Sequence, residues 1–272
     1  MSEKLPLLIE PEELKNHLAD PSFLIVDLSQ LSVHARMHIP GAVHLEYGSI
    51  VGGNGRMGGL LPDEGTLSQA LSNIGLKTEH HVVSYDDEGG GKAARLLWTL
   101  EILGHGHYSL LNGGLHAWAN EEFPLTRTST SIEPTGYRAS LNRGSDAIAD
   151  ADYIQAHLDD PTVALLDTRS AAEYDGSKKF AARGGRIPGA VNMEWTEAID
   201  QNRNLRLENA AASRARLEAL GIRADQTVVA YCQTHHRSAH TWFWLKWLGY
   251  RSKGYPGSWS DWGNRPELPL EK

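Results

Sequence analysis

The pentapeptide Ile-Pro-Gly-Ala-Val occurs twice, at 39–43 and 187–191, each time downstream of an apolar run that carries an aspartate, Asp27 or Asp167. No other feature constrains the fold as strongly. A chain written as two copies folds as two like units, each with its own core. The correspondence continues downstream. The run "VVSYDDEGGGKAARLLWTLEILG" from Val82 matches "VVAYCQTHHRSAHTWFWLKWLG" from Val228, and "NGGLHAWAN" matches "PGSWSDWGN", which brings Trp118 onto Trp262. Between Asp167 and Pro188 the second copy carries about eight extra residues in a polar, loop-like stretch. The polar, turn-rich "TRTSTSIEPTGYRASLNRGS" separates the copies. The expected organisation is therefore a first domain over 1–126, a linker over 127–145 and a second domain over 146–272.

Within each copy two kinds of pattern alternate. "FLIVDL", "HVVSY", "VALLDT" and "TVVAY" are short, apolar and rich in β-branched residues, as in strands buried on both faces. "PEELKNHLAD", "GTLSQALSNIG", "ADYIQAHLDD" and "AAASRARLEALG" have helical spacing, with Gly75 and Gly221 as stops. Alternation of this kind predicts an α/β fold, here two small parallel sheets with helices on both faces.

Composition excludes several functions. With 40% hydrophobic residues the 272-residue chain can bury real cores. A net charge of −8 argues against general binding to nucleic acid or an acidic membrane. The start "MSEKLPLLIEPEEL" lacks the pattern of a signal peptide, and "TWFWLKWLGY" is too short to span a bilayer and contains Lys246. One cysteine cannot form an internal disulfide. A reducing, cytoplasmic setting is expected.

That cysteine, Cys232, is the first residue after the predicted strand "TVVAY", and a helix follows within about six residues. Reactive groups of open parallel sheets sit at the carboxyl ends of strands. The short loop "CQTHHR" should curl its amides around one point, with the helix N-terminus facing the same point, so that an anion there is stabilised. The thiolate is the nucleophile, and an unperturbed thiol of pKa about 8.5 is only a few per cent ionised at neutral pH. Lowering that pKa by two units takes about 2.7 kcal/mol. An exposed helix terminus supplies about 0.3–1 kcal/mol, so the loop amides and Arg237 must contribute the rest. A buried structural cysteine and a Cys-His-His metal site are the competing readings; adjacent histidines in so tight a loop rarely point at one ion, and no metal is expected.

These residues carry a resemblance. The two "IPGAV" segments, "LLDTR" at 165–169, the six-residue loop "CQTHHR" and "YPGSWSDW" at 255–262 resemble tandem-domain rhodaneses, the bacterial thiosulfate sulfurtransferases, over essentially the whole chain. Asp261 stands where the family usually has glutamate, and Asp86 stands in the first copy where Cys232 stands in the second. The resemblance implies two rhodanese-like domains, the first catalytically silent. It implies a Cys232 persulfide, loaded from thiosulfate and unloaded by cyanide or another small thiophile, with ping-pong kinetics and no metal or organic cofactor. Gln233, Thr234, His235, His236, Arg237 and Ser238 would cradle the sulfur and the donor. Arg183 and Arg186, in "DGSKKFAARGGRIPG", are the candidates for the arginines that related enzymes bring from this segment.

Other readings stay open at this point. They are a 3-mercaptopyruvate sulfurtransferase, and a non-catalytic sulfur or selenium carrier that delivers to a protein acceptor. A phosphatase or arsenate reductase fits less well, because such loops place five residues between cysteine and arginine and this one places four, a ring better suited to one sulfur atom. The charge of Arg237, His235 and His236 favours thiosulfate, a dianion, over mercaptopyruvate. "YDDEGGGKAAR" is expected to be a degenerate copy of the active loop rather than a phosphate loop, since acids precede its glycines. Glycines in "GGNGRMGGLLP" at 52–62 should permit close backbone approach between the domains, covering one side of the second site. Asp167 and Arg169 should brace loops, and Trp195 and Trp259 either wall the site or pack the core.

Overall fold

A computed structural model describes residues 5–55, 57–142 and 145–272. Arg56 of the 52–62 segment, Arg143 and Gly144 of the expected linker, and the first four residues lie outside them. The chain divides into two compact units. One comprises 1–50, 62–142 and 200–207; the other comprises 51–61, 143–199 and 208–272.

In the first unit five parallel strands run in the spatial order Leu8–Ile9, Tyr108–Leu111, His81–Tyr85, Phe23–Asp27, Val43–His44. In the second, four parallel strands run in the order Arg251–Gly254, Thr227–Tyr231, Val163–Asp167, Val191–Asn192. All four runs read as strands in the sequence form the sheet interiors. Val228 and Ala230 point one way and Val229 and Tyr231 the other, and all are buried, so both faces of the sheet are covered. The core of the first unit gathers Ile25, Ile39, Val83, Tyr85, Leu111 and Trp118. That of the second gathers Leu165, Ile187, Val229, Tyr231, Trp259 and Trp262, the repeat-related positions in most cases.

Helices form over Glu64–Asn73, Ala151–Ala156 and Ala210–Ala219, as the periodicity predicts, with Asp63, Asp150 and Asn209 side chains capping their first turns. The run "PEELKNHLAD" instead breaks into one α-helical turn, Pro11–Leu14, and a 3-10 turn, Lys15–His17. The stretch 127–142 forms neither helix nor strand. It lies along the Glu64–Asn73 helix, with the Thr135 hydroxyl donating to Leu76 O at 2.6 Å and the amides of Ala139 and Leu141 donating to Ser68 Oγ and Glu64 Oε1. Among the described residues no helix is long and apolar enough to cross a membrane.

Candidate active site

The strand Thr227–Tyr231 delivers Cys232 to the carboxyl edge of the second sheet, and the helix Arg237–Trp247 opens at Arg237 itself. Five residues, 232–236, thus turn the chain from strand to helix. Within the turn His235 adopts a left-handed conformation, φ 54°, which is costly for a residue with a Cβ. His235 is fully buried, and its Nδ1 lies 2.8 Å from Ser238 Oγ. The Ser238 hydroxyl in turn donates to Cys232 Sγ at 3.4 Å. A histidine, a serine and the sulfur are therefore linked in line.

Around the sulfur, opposing effects are large. Burial pushes the Cys232 thiol up, but the Arg237 guanidinium, the Ser238 hydroxyl and the amides of Ser238 and Thr234 outweigh it and hold the pKa below its ordinary value. Cys232 is only 1% exposed, so these interactions act where water screens them weakly.

Arg237 is not an unopposed cation. Its two Nη atoms donate to the two carboxylate oxygens of Glu173, each at 2.8 Å, in a fork that fixes the guanidinium plane. Burial works against the Glu173 carboxylate, yet Arg237, with Ser170, pulls its pKa down to about 2. Glu173 did not emerge from the sequence reading. Its signal was the Ser170–Glu173 capping box at the start of the short helix Ala171–Tyr174, which the structure contains. That signal announces a helix start and says nothing of Arg237. Glu173 also reduces the positive potential on which the charge argument for a dianionic donor relied.

The loop is walled from one side by "YPGSWSDW". Cys232 N donates to Ser258 Oγ at 3.2 Å, Trp259 N donates to Cys232 O at 2.9 Å, and Ser260 N donates to Gln233 O at 3.0 Å. The hairpin of Gly52–Gly53 and Gly58–Leu60 supplies another wall. Gly58 N donates to Ser260 Oγ at 3.1 Å. A Cβ on Gly59, whose φ is +79°, would stand 2.1 Å from Thr234 O. Only glycine permits that approach. This segment is part of the second unit, so the sequence's glycine signal marks contact with the Cys232 loop.

The remaining candidates fall into place unevenly. Gln233 is half-buried and donates from Nε2 to Phe180 O at 3.2 Å. His236 is half-buried with its ring 5.9 Å from that of Trp195, which also meets His240 edge-on at 5.2 Å. Arg183 and Arg186 are not brought into this cluster. Arg183 donates to Leu268 O at 2.7 Å, to Trp262 O at 2.8 Å and to Arg265 O, tying down the C-terminal segment. Arg186 pairs with Glu271 at 3.3 Å and lies over the Tyr174 ring. Asp167 and Arg169 form a buried ion pair, with Arg169 Nη2 donating to Gly185 O and its guanidinium 4.5 Å from the centre of the Trp259 ring. Both brace the loops. Trp259 packs in the core and also holds the backbone of Cys232.

The corresponding loop of the first unit wraps a carboxylate. Asp86 Oδ1 accepts from Glu88 N and Gly90 N at 3.0 and 2.8 Å, and Oδ2 from Ala93 N at 3.0 Å. The group is fully buried; burial and Glu88 raise its pKa against the pull of the three amides.

A thiol at a strand end, set in amides before a helix, defines a class of single-cysteine, loop-cradled enzymes. The profile of the rhodanese-like domain matches residues 10–121 and 150–265, and the chain belongs to the rhodanese family. It is 44% identical to a thiosulfate sulfurtransferase of Azotobacter vinelandii over 98% of this chain and 97% of that one. Identity to a thiosulfate sulfurtransferase of Pseudomonas aeruginosa is 42%, with the same coverage. A sulfur carrier protein of Thermus thermophilus is 31% identical over 98% of this chain and 96% of its own length. Among solved structures, EanB in complex with ergothioneine superposes with a TM-score of 0.84 at 22% identity, covering 98% of this chain and 70% of EanB, a likeness of fold.

Proposed function

We propose that the protein is a thiosulfate sulfurtransferase that works through a persulfide on Cys232. The observation that carries this reading is a buried thiol that accepts the Ser238 hydroxyl at 3.4 Å, just ahead of the helix opened by Arg237, a setting that lowers its pKa. The thiolate attacks the outer sulfur of thiosulfate, the sulfur–sulfur bond of the donor breaks, and sulfite leaves with the electron pair. Cys232 then carries one extra sulfur as a persulfide anion, held by the same amides and by the charge of Arg237. Cyanide attacks the outer sulfur, thiocyanate departs, and the thiolate returns. Gln233, Thr234, His235 and His236 shape the cradle; Glu173 orients Arg237. No step calls for a metal or organic cofactor.

The first domain is silent in this scheme, because Asp86 fills its cradle with a carboxylate. A lone nucleophilic thiol suits a reducing compartment such as the cytoplasm. Steady-state kinetics with thiosulfate and cyanide varied together test the scheme. Parallel double-reciprocal lines are expected, whereas intersecting lines would mean that both substrates bind before sulfur moves. The likeness to the Thermus sulfur carrier favours a second reading, in which the persulfide forms but a protein accepts the sulfur. Loading of Cys232 without turnover to cyanide would favour it, whereas fast turnover would show that a small thiophile suffices as acceptor.

A further inference from the structure

We propose that the loop 176–185 of the second unit is a docking platform for the sulfur acceptor, and that it fits a protein whose reactive cysteine is ringed by acidic side chains. The inference rests on the sulfurtransferase reading and goes beyond it to the acceptor. The loop contains the extra residues that the second copy has and the first lacks.

Its base is firmly built. Gly176 has φ +82°, and a Cβ there would lie 2.7 Å from Gly185 N, so the two ends of the loop meet backbone to backbone. Lys178 N donates to Ala172 O at 2.7 Å, Ala182 N donates to Asn264 Oδ1 at 2.8 Å, and Arg183 holds the carbonyls of Trp262 and Leu268. On this fixed base Lys178, Lys179 and Phe180 project into solvent, Phe180 with 57% of its surface exposed and Lys178 Nζ 4.9 Å from the centre of its ring.

A single exposed apolar side chain is ordinary. The position of this one is not. The carbonyl of Phe180 accepts from the side chain of Gln233, the residue next to Cys232, so whatever rests on Phe180 rests beside the catalytic loop. A projecting aromatic flanked by cations offers no cavity for a small molecule, but it is the chemistry of a protein interface centre. The two adjacent lysines stand out on a chain of net charge −8, which repels an acidic partner elsewhere and steers it here. In the transfer, the partner's thiolate attacks the outer sulfur of the Cys232 persulfide. The bond to Cys232 breaks, Cys232 leaves as thiolate with the electron pair, and the partner carries the sulfur as a persulfide anion.

The test loads the full-length protein with thiosulfate, removes the excess, and follows discharge of Cys232 by mass spectrometry with two probes. One is the peptide Glu-Glu-Leu-Cys-Glu-Glu and the other its counterpart with lysine in place of each glutamate, compared at equal thiolate concentration and low salt. We expect the acidic probe to discharge the persulfide about tenfold faster or more. The advantage should largely vanish in the Lys178→Glu/Lys179→Glu variant and shrink in Phe180→Ala, while discharge by cyanide stays unchanged in both. Equal rates for the two probes, or an advantage that survives the lysine substitutions, would overturn the platform alone. Failure of thiosulfate to load Cys232 would overturn the sulfurtransferase reading and the platform with it.

Discussion

At the scale of single residues, the chemistry turns on the contest over the Cys232 proton. Burial favours the thiol and Arg237 leads the forces that favour the thiolate. Replacing Arg237 with alanine should therefore raise the Cys232 pKa. It should also lower kcat/KM for thiosulfate by about 100-fold, the order seen when a charge-stabilising donor is removed from an active site. Alkylation rates measured against pH would report the first effect, and an unchanged profile would show that Arg237 does not set the thiolate. In the wild type the loading rate should rise with pH through a midpoint below the ordinary thiol value of about 8.5 and then level off. Glu173 belongs to the same contest one step away. Its folded pKa of about 2 lies below its ordinary value of 4.5, so the ion pair stabilises the fold fully above pH 4.5. That contribution is lost as pH falls toward 2. Glu173→Gln should make the wild type's excess stability over the variant, measured by denaturant titration, disappear across that window. An excess that persists at the acid end would mean that the pairing with Arg237 is not its source.

At the scale of elements, much was legible. The four central strands and the helices Glu64–Asn73, Ala151–Ala156 and Ala210–Ala219 follow from period, because burial on both sheet faces imposes continuous apolar runs and burial on one helix face imposes helical spacing. The Cys232 loop was legible for the same reason, since a strand end followed at once by a helix leaves Cys232 one place to be. What escaped was contact between distant segments. The left-handed His235 is marked only by its counterpart in the first copy, Gly89, whose φ is also positive, and Glu173 reads only as a cap until the fold brings Arg237 to it. Arg183 and Arg186 illustrate the same gap from the other side. Their position in front of "IPG" suggested substrate, whereas carbonyls of the C-terminal segment and Glu271 take up their guanidinium groups. The glycine-rich hairpin gives this level its prediction. Gly59→Ala combines a positive φ with a Cβ 2.1 Å from Thr234 O, so it should destabilise the protein by about 1–3 kcal/mol and depress turnover by displacing Thr234. Thermal unfolding and activity should fall together. A variant with native stability and full turnover would show that the hairpin does not support the loop.

At the scale of the whole molecule, one working site is expected in a chain that repeats itself. The repeat is legible in the sequence, but the exchange of segments is not: 51–61 belongs with the second unit and 200–207 with the first. In the first unit Arg206 pairs with Glu121 and Glu10, contacts no motif announces. A cut near 126 would separate the 51–61 hairpin from the second unit. The fragment 146–272 should therefore turn over thiosulfate far more slowly than the intact chain, and near-native activity from it would make the hairpin dispensable. Asp86 makes the other half of the assignment. With a carboxylate already in its cradle, the first unit should take up no sulfur. The central claim is that Cys232 alone carries the sulfur, and intact-mass spectrometry after thiosulfate treatment tests it most directly. We predict one added sulfur atom per wild-type chain, located on the peptide containing Cys232 and released one-for-one as thiocyanate by cyanide, with none added in Cys232→Ser. A wild type that gains no sulfur, or a serine variant that still transfers it, would contradict the account.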